Sequence, residues 1–361
     1  MRTLWLADHL LEDARGHHLS HAGYLAEAAK KAGLGVRILC ARRCQVRVSD
    51  EFPMDGIFRR DLRNRPHWLL SRSSLALKLL ETISRRRFQA DLFSGISSRK
   101  VGANDIVFAQ MLAPRNLTAW LHWLNALPAG REPALVLHLG YAPERFGADQ
   151  EVPRVLFELQ RSGRLARARF VTDSPLLQSR YEAILGQAVR LLPVVVSRRT
   201  SESFKPPANP PCFASLGNAR AEKGFPELLA AVDLLCGSSV PPQARFALQS
   251  SNPDPRSAAA LADFRSASSK KVSLVDHPLT NDAYLEMLRE ADVLLLPYHP
   301  STYKERTSGV FCEALSAGKP VIVSQGSSMG FQVMRERTGW VVRDRNPTAL
   351  AGVIRKALPE L

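Results

Sequence analysis

Short apolar runs alternate with helix-like segments along the chain, and this alternation restricts its fold more than any other feature. In the first half, the runs that indicate strands are TLWLAD, VRILC, DIVFAQ, ALVLHLG and ARFVTDS. In the second half they are CFASLG, ARFALQS, KVSLV, ADVLLLPY, KPVIVS and GWVV. Apolar strands separated by helices pair in parallel and are buried on both faces. The sequence therefore predicts an α/β protein with doubly wound, Rossmann-like sheets.

A proline-rich segment separates the two halves. Residues 206–211 hold four prolines in six positions, which excludes a helix or a central strand. We therefore expect a Rossmann-like N-terminal domain at 1–205, a stiff linker at 206–211 and a Rossmann-like C-terminal domain at 212–361. The last helix is a candidate to pack back on the N-terminal domain. Ligands of such sheets bind at the carboxyl ends of the strands, which predicts a cleft between two facing domains.

The charge of the chain is unevenly distributed. The formal net charge is +15, and residues 1–200 carry 31 basic against 18 acidic residues. Residues 201–361 carry 18 basic and 16 acidic residues. A basic half favours an acidic partner, such as a nucleic acid, an anionic lipid or a phosphorylated substrate.

Several other classes are disfavoured by the sequence. No apolar run approaches the length of a membrane span, and the N-terminal stretch does not resemble a signal peptide, so we expect a cytoplasmic protein. The five cysteines form no disulfide or zinc pattern, which favours reduced thiols. No D-x-D pair follows a strand, so we expect neither a metal nor another cofactor to be required.

The segment SLGNARAEKGFPELL follows the first strand of the second half. Gly217 allows the backbone to turn, and Lys223 precedes a predicted helix whose free N–H groups favour an anion. A diphosphate would suit this position, although a solvated loop with charged residues is an equally good interpretation. The pattern is neither G-x-G-x-x-G nor a Walker A loop, which disfavours dinucleotide and ATP sites.

The segment YKERTSGVFCEALSAGKPVIVS places Glu305 and Glu313 eight positions apart. On one continuous helix they would lie ~12 Å apart. Gly309 instead favours a loop that holds Glu305 and a helix that holds Glu313. The N–H groups of Thr307, Ser308, Gly309 and Val310 would then point out of the helix N-terminus. This layout suits a sugar nucleotide, with hydroxyls at both ends and phosphates between; two unrelated glutamates are the plain alternative.

With these flanks, Glu305 and Glu313 resemble the E-x7-E motif of the family 4 retaining glycosyltransferases of GT-B fold. LGNARAEKG is similar to that family's phosphate-binding loop, and ARGHHLSHAGYLAEAAKKAGLGVRIL to its first strand-loop-helix. LVLHLG places a histidine, His138, where the family has one near the donor sugar, and FVTDSPLLQSRY is similar to the family's helix before the linker. The resembling segments occur in the family's order over most of the chain.

The resemblance implies roles for individual residues. Glu305 would bind hydroxyls of the donor sugar, Glu313 the nucleotide ribose, and Lys223 with Arg220 the diphosphate. Glu305, Lys223 and His138 are the implied catalytic residues. The implied donor-binding residues are Gly217, Arg220, Lys223, Thr307, Ser308, Gly309, Val310 and Glu313. Gly16 and His17 would face the acceptor.

Two positions depart from the family pattern. Asn218 stands where the family arginine usually follows the glycine, which weakens the role of Arg220 relative to that of Lys223. His17 replaces a second glycine, and His138 has a core histidine as its alternative role. The implied reaction is front-face transfer, in which the departing phosphate helps to take the acceptor proton.

The predicted function is retaining, metal-independent transfer of a sugar from a nucleotide sugar to a glycan or lipid-linked acceptor. Cell-surface polysaccharide or glycolipid synthesis is the expected setting. A sugar-nucleotide epimerase of the same fold is one alternative. A basic membrane- or nucleic-acid-binding protein with an inactive nucleotide pocket is another, with nucleic acid the weaker partner because no recognition motif is present.

The segment HWLLSRSSLALKLLETISRRRF has leucines at helical spacing and ends in Arg85, Arg86 and Arg87. A packed domain helix with a solvated basic end explains this pattern as well as an amphipathic helix on an anionic membrane does. On the second interpretation, the protein is peripheral at the inner face of the cytoplasmic membrane.

Overall fold

A computed structural model gives the structure of the chain. It describes residues 2–13, 18–59, 74–112, 114–143, 151–196, 200, 207–343 and 346–361. The chain divides into two compact units, Met1–Val195 and Val196–Leu361, and each is described by itself. The sequence-based boundaries at residues 205 and 212 stay predictions.

The N-terminal unit contains a parallel sheet of seven strands in the order β3-β2-β1-β4-β5-β6-β7. The chain reverses its direction of winding between β1 and β4, which are neighbours in the sheet. The strands are β1 Thr3–Ala7, β2 Gly35–Ala41, β3 Met54–Phe58, β4 Ile106–Ala109, β5 Ala134–His138, β6 Ala168–Thr172 and β7 Val189–Leu191.

Among the described residues, five helices flank this sheet. They are α1 His18–Lys31, α2 Ser74–Ser97, α3 Pro114–Ala126, α4 Glu151–Arg161 and α5 Pro175–Leu185. Apolar side chains from both faces of the sheet are buried against them in two clusters, one built around Trp120 and Trp123 and the other around Leu6 and Ile38.

The sequence signals at the ends of α5 are confirmed. Ser174 caps the helix by accepting a hydrogen bond from Leu177 N through its side chain, and Pro175 occupies the first turn. Gly186 ends the helix in the left-handed conformation. These signals act within a few residues, which is why the sequence alone revealed them.

The C-terminal unit repeats the same arrangement with six parallel strands in the order β10-β9-β8-β11-β12-β13. Here the winding reverses between β8 and β11. The strands are β8 Cys212–Ser215, β9 Arg245–Gln249, β10 Val272–Val275, β11 Val293–Leu296, β12 Val321–Ser324 and β13 Gly339–Val342.

The helices of the C-terminal unit are α6 Phe225–Cys236, α7 Pro255–Ala262, α8 Asn281–Glu290, α9 Pro300–Tyr303, α10 Gly309–Ser316, α11 Ser328–Glu336 and α12 Pro347–Ala357. The last of these, α12, packs against α6 within its own unit. Buried apolar side chains again form one cluster on each face of the sheet.

The predicted class is confirmed, because both units are doubly wound, parallel and Rossmann-like. All five cysteines are free thiols, as the sequence indicated. Within the described ranges, we find no helix that is long and apolar enough to cross a membrane.

Candidate active site

The loop between β8 and α6 lies at the point where the C-terminal sheet reverses its winding. Gly217 begins the turn with a φ of 95° and donates its N–H to Gln249 Oε1 at 2.6 Å. Lys223 ends a short 3₁₀ helix, Ala221–Lys223, and Gly224 then turns the chain into α6 in the left-handed conformation. Lys223 therefore stands at the carboxyl edge of the sheet, where ligands of this architecture bind.

Gly217, Lys223 and Val310 lie together, although up to 93 positions separate them in sequence. A Cβ atom on residue 217 would stand 2.8 Å from Lys223 Nζ and 3.9 Å from a methyl carbon of Val310. Glycine is needed at 217 for its positive φ and for this close approach of the ammonium group. The predicted phosphate loop and the N-terminus of α10 thus form one site.

Gly224 fixes this loop against the neighbouring strand. A Cβ atom there would stand 2.1 Å from the carbonyl oxygen of Pro297, which follows β11. His299 N also donates to the carbonyl of Glu222 at 2.9 Å. The loops after β8 and β11 are thereby held in contact at the reversal point.

Asp254 supports the loop from its other side. Its carboxylate accepts hydrogen bonds from Ala221 N at 2.8 Å and from Ser257 N, where it caps α7, at 2.9 Å. Burial raises the pKa of Asp254, but these hydrogen bonds outweigh the effect and hold the pKa below its ordinary value. Asp254 is thus an ionised support of the loop.

Lys223 and Arg306 lie at the two ends of a pair of neighbouring tyrosine rings. The Nζ atom of Lys223 lies 5.6 Å from the centre of the Tyr298 ring, and that ring lies 4.6 Å from the ring of Tyr303. The guanidinium carbon of Arg306 lies 5.3 Å from the centre of the Tyr303 ring. These distances are typical of cation–π contacts.

The environment of Lys223 changes its acidity. Burial lowers the pKa of Lys223 to about 8, with the positive charges of Arg220 and Arg306 acting in the same direction and Glu222 opposing them. The group is still mostly protonated at neutral pH. An anion bound beside it would restore the pKa and relieve the repulsion among the three cations.

Arg306 is the residue that the sequence reasoning missed. It follows Glu305 directly, and the two tyrosines before it, Tyr298 and Tyr303, were the available signal. Arg220, by contrast, is exposed and lies before the 3₁₀ helix. Arg306 thereby supplies positive charge that the sequence analysis had assigned to Lys223 and Arg220 alone.

The two glutamates lie as the sequence indicated. Glu305 is partly buried in the segment between α9 and α10, and Glu313 is on α10. Ser308 caps α10 by accepting a hydrogen bond from Phe311 N at 3.4 Å. Val310, in the first turn of α10, lies beside Gly217, as Lys223 does.

Tyr284 on α8 holds the side chain of Glu313 by donating its hydroxyl to Oε2. Burial raises the pKa of Glu313, and the Tyr284 hydrogen bond offsets part of this effect. One carboxylate oxygen is thus fixed by the protein, which orients the other.

His138 is the last residue of β5 in the N-terminal unit and is buried. Its ring lies 6.2 Å from that of Phe108, and among the described residues none is a hydrogen-bond partner for its Nε2. Burial, with a smaller contribution from His21, lowers the pKa of His138 to about 4. The ring is therefore neutral at physiological pH, and its predicted role stays a prediction. Gly16 and His17, the predicted acceptor residues, lie outside the described residues.

A separate cavity of about 560 Å³ opens at the opposite edge of the C-terminal sheet. It is lined by Asp292, Pro320 and Gly339, at the amino ends of β11, β12 and β13. We place the candidate active site at the carboxyl edge because the glycine turn, the cations and the helix N-terminus meet there.

In the described parts of the chain, no group of three or more His, Cys, Asp or Glu side chains is arranged to hold a metal ion.

Comparison with solved structures gives matches over nearly the whole chain. A glycosyltransferase from Rickettsia africae matches with a TM-score of 0.67 and 12% identity, over 99% of this chain and 88% of that one. Sucrose-phosphate synthase from Thermosynechococcus elongatus matches with a TM-score of 0.64 and 16% identity, over 100% and 90%. The Anabaena protein HepE in complex with UDP-glucose matches with a TM-score of 0.59 and 14% identity, over 100% and 90%.

These matches and the two sheets define the chain as a protein of GT-B fold, as the sequence resemblance implied. Residues 210–360, which hold the candidate site, match the family model described as Glycosyl transferases group 1. The C-terminal unit of the chain is therefore similar to this family. The assignment of the chain to family 4 stays a prediction. No curated protein sequence matches the chain significantly.

Proposed function

We propose that this protein is a glycosyltransferase that takes a sugar from a nucleotide sugar and transfers it to a glycan or lipid-linked acceptor with retention of configuration. The observation that carries the proposal is the meeting of Lys223, Gly217 and the α10 N-terminus at the reversal point of the C-terminal sheet. A fixed ammonium group and free N–H groups are suited to a diphosphate. The structural neighbour HepE has been solved with UDP-glucose, which supports a donor of this class.

The cations would act on the leaving group. Transfer places a full charge on the departing nucleoside diphosphate, so groups that stabilise this charge more in the transition state than in the ground state accelerate the reaction. Lys223 is the central group, and Arg306 and Arg220 extend the positive field around it. We propose that these side chains and the helix N-terminus neutralise the diphosphate without a metal ion.

The two glutamates would hold the ends of the donor. Glu305 lies in the loop before α10 and would bind hydroxyls of the sugar. Glu313, fixed by Tyr284 through one oxygen, would accept hydrogen bonds from the ribose with the other. For the neutral ring of His138, we propose the role in sugar binding that the sequence resemblance implies.

A thermal-shift panel of sugar nucleotides tests the proposal. A nucleotide sugar present at 100 times its dissociation constant should stabilise the protein by ~2.7 kcal/mol. Wild type and Lys223→Ala are compared, with the exposed Lys270→Ala as a matched control. If no nucleotide sugar raises the melting temperature of the wild type or is consumed by it, the proposal is wrong.

Nucleotide release separates the two alternatives from transfer. A transferase releases nucleotide at a rate that depends on acceptor concentration. An epimerase that hydrolyses its donor releases nucleotide at the same rate without acceptor, and an inactive nucleotide pocket releases none.

We further propose that the enzyme acts at an anionic membrane surface in polysaccharide or glycolipid synthesis. On the described part of α2, Phe88, Leu92 and Ile96 face the core, whereas Leu79 and Ile83 are exposed apolar residues. Arg86 is exposed near them. Basic and apolar side chains on one exposed surface favour contact with anionic lipid. The start of the segment HWLLSRSSLALKLLETISRRRF, with Trp68 and Arg72, lies outside the described residues.

A further inference from the structure

The amino edge of the N-terminal sheet, opposite the edge at which ligands of this architecture bind, is strongly basic. Strands β1, β4, β5 and β6 are successive neighbours in this parallel sheet, so all four begin at this edge. The residues that lead into them include seven arginines and lysines against two acidic residues; they lie at positions 2, 98–105, 128–133 and 163–169. The proposed transfer uses none of these cations.

Five of the seven cations form no ion pair within the described parts of the chain. These five are exposed, and we call them the basic edge: Arg2, Lys100, Arg131, Arg167 and Arg169. The other two are neutralised, because Arg99 pairs with Asp55 at 3.2 Å and Arg164 with Glu132 at 2.9 Å. The basic edge therefore holds positive charge that the described residues do not neutralise.

Both acidic residues of this edge have partners within the N-terminal unit. Asp105 accepts hydrogen bonds from Gly102 N at 2.9 Å and from Trp5 Nε1 at 3.3 Å. The carboxylate of Glu132 accepts from its own backbone N–H and from Arg164, and these hydrogen bonds hold the pKa of Glu132 below its ordinary value. The two carboxylates thus support the local structure, and the five cations of the basic edge remain available to a partner.

Backbone carbonyls, and not carboxylates, hold two guanidinium groups of the basic edge close together. Arg2 Nε donates to the carbonyl of Asn104 at 2.8 Å, and Arg167 Nη2 donates to the carbonyl of the preceding residue, Ala103, at 2.5 Å. Arg167 Nε also donates to the carbonyl of Glu132 at 3.0 Å. Two positive groups on consecutive carbonyls repel each other, and a bound anion would relieve this repulsion. Because both groups are already fixed, binding would order few further side chains.

The dimensions and composition of the basic edge indicate which polyanion it fits. Four neighbouring strands span ~14 Å, the length of about four residues of an extended peptide. The four segments contain no aromatic residue on which a nucleic-acid base could stack. None of the large exposed apolar side chains among the described residues lies on them, which disfavours insertion into lipid. A row of carboxylates needs only the N–H donors of guanidinium and ammonium groups.

We propose that the basic edge binds an acidic segment of a partner protein, in which several Asp or Glu residues follow closely on one another. Arg2 and Arg167 are at the centre of this surface. Each guanidinium has five N–H donors, of which Arg2 uses one and Arg167 two in the bonds to carbonyls, and the remaining donors bind carboxylates. The surface lies within the N-terminal unit alone, and the proposal does not depend on the proposed transfer.

The first experiment titrates fluorescein-labelled deca-glutamate with the whole chain at low salt and follows binding by fluorescence anisotropy. Lys100→Glu with Arg131→Glu reverses two exposed side chains that make no hydrogen bond to described residues, so the fold should be retained. This double variant should lower the affinity about tenfold or more, because two attractions become repulsions. Lys270→Glu with Lys356→Glu, in the C-terminal unit, changes the net charge equally and should match the wild type within about twofold.

Three results would overturn the proposal. The first is no binding of deca-glutamate by the wild type at low salt. The second is an equal loss of affinity in the two double variants, which would show attraction to the net charge alone. The third comes from decathymidylate and anionic vesicles, tested in the same way. If Lys100→Glu with Arg131→Glu releases either of these and keeps deca-glutamate, the partner is a nucleic acid or a lipid surface, and not an acidic peptide.

The second experiment tests the central place of the two fixed guanidinium groups. Arg2→Lys with Arg167→Lys keeps the charge and removes the planar forks, so the affinity for deca-glutamate should fall about threefold or more. Melting temperatures are measured in parallel, so that affinities are compared between folded proteins. An affinity equal to that of the wild type would show that the guanidinium groups do not hold the carboxylates, and the proposed centre of the surface would be wrong.

Discussion

The two units of this protein share one architecture and differ in the chemistry at corresponding points. In both, parallel strands wind outward from a central pair, β1 and β4 in the N-terminal unit and β8 and β11 in the C-terminal unit. In the C-terminal unit, the loop after the first strand gathers Lys223 with Arg220 and Arg306 nearby. In the N-terminal unit, the residue after the first strand is Asp8, a buried carboxylate.

At the reversal point of each sheet, the charge differs from what the composition of that half of the chain indicates. The N-terminal half is the basic half of the chain, yet its reversal point centres on an acid. The nearly neutral C-terminal half has three cations at its reversal point. The fold determines where a ligand can bind, whereas a few side chains at the strand ends determine what it is.

The largest effect should come from Glu305. Glu305→Ala should abolish detectable transfer and leave nucleotide affinity within about twofold, because the nucleotide is held by other residues. Activity is measured as acceptor-dependent nucleotide release, and affinity by calorimetry with the free nucleotide. An equal loss of nucleotide affinity in Glu305→Ala and Glu313→Ala would contradict the division of the donor between them.

Lys223→Ala should lower kcat by ~10²–10³, because it removes one charged group from the leaving diphosphate. Lys270→Ala is the control for loss of an exposed lysine.

In the wild type, nucleotide affinity should fall as pH rises through about 8, the pKa of Lys223, since the bound anion prefers the protonated form. This pH dependence should be missing in Lys223→Ala. A strict requirement for Mg²⁺ in the wild type would show that the diphosphate is neutralised in another way.

Reversing Arg85, Arg86 and Arg87 to glutamate should change only vesicle binding, which we assign to the N-terminal unit. Each basic group near an anionic surface contributes ~1 kcal/mol, so the triple variant should lose more than about a hundredfold in vesicle affinity. Wild type should sediment with anionic vesicles at low salt, not with neutral ones, and should be released near ~0.5 M salt, where screening acts within ~4–5 Å.

A triple reversal in the C-terminal unit, Lys270→Glu, Arg335→Glu and Lys356→Glu, has the same change in charge and should bind vesicles as the wild type does. Melting temperatures of both variants are compared, because Arg85 forms an ion pair with Glu151 at 3.3 Å. If wild type stays in the supernatant with anionic vesicles at low salt, a soluble acidic acceptor explains the basic half better.

The smallest effects concern Glu313 and its partner. Glu313→Ala should weaken nucleotide binding by ~1.5–3 kcal/mol, the usual value of hydrogen bonds to a charged group. Tyr284→Phe removes only the hydroxyl that fixes Glu313 and should cost less, about 0.5–1.5 kcal/mol. An affinity loss in Tyr284→Phe as large as in Glu313→Ala would mean that Tyr284 contacts the nucleotide itself.

Much of the fold could be predicted because its signals are local. The strands follow from short apolar runs, the ends of α5 from Ser174 and Gly186, and the loop position of Glu305 from Gly309. The order of the strands within each sheet, and therefore which loops meet, does not follow from periodicity. Arg306 and the basic edge were missed for this reason.

The sequence by itself determined the α/β class, the repeated pattern of the two halves and the residue types of the proposed sugar-nucleotide site, because helix periodicity, capping and glycine turns act within a few residues. Only the tertiary structure decided which of these residues meet. Lys223 reaches Tyr298, Gly217 lies beside Val310, and Asp8 reaches Gln110, 102 positions away. Such contacts form because β11 packs beside β8 and β4 beside β1, so they depend on the pairing of distant strands.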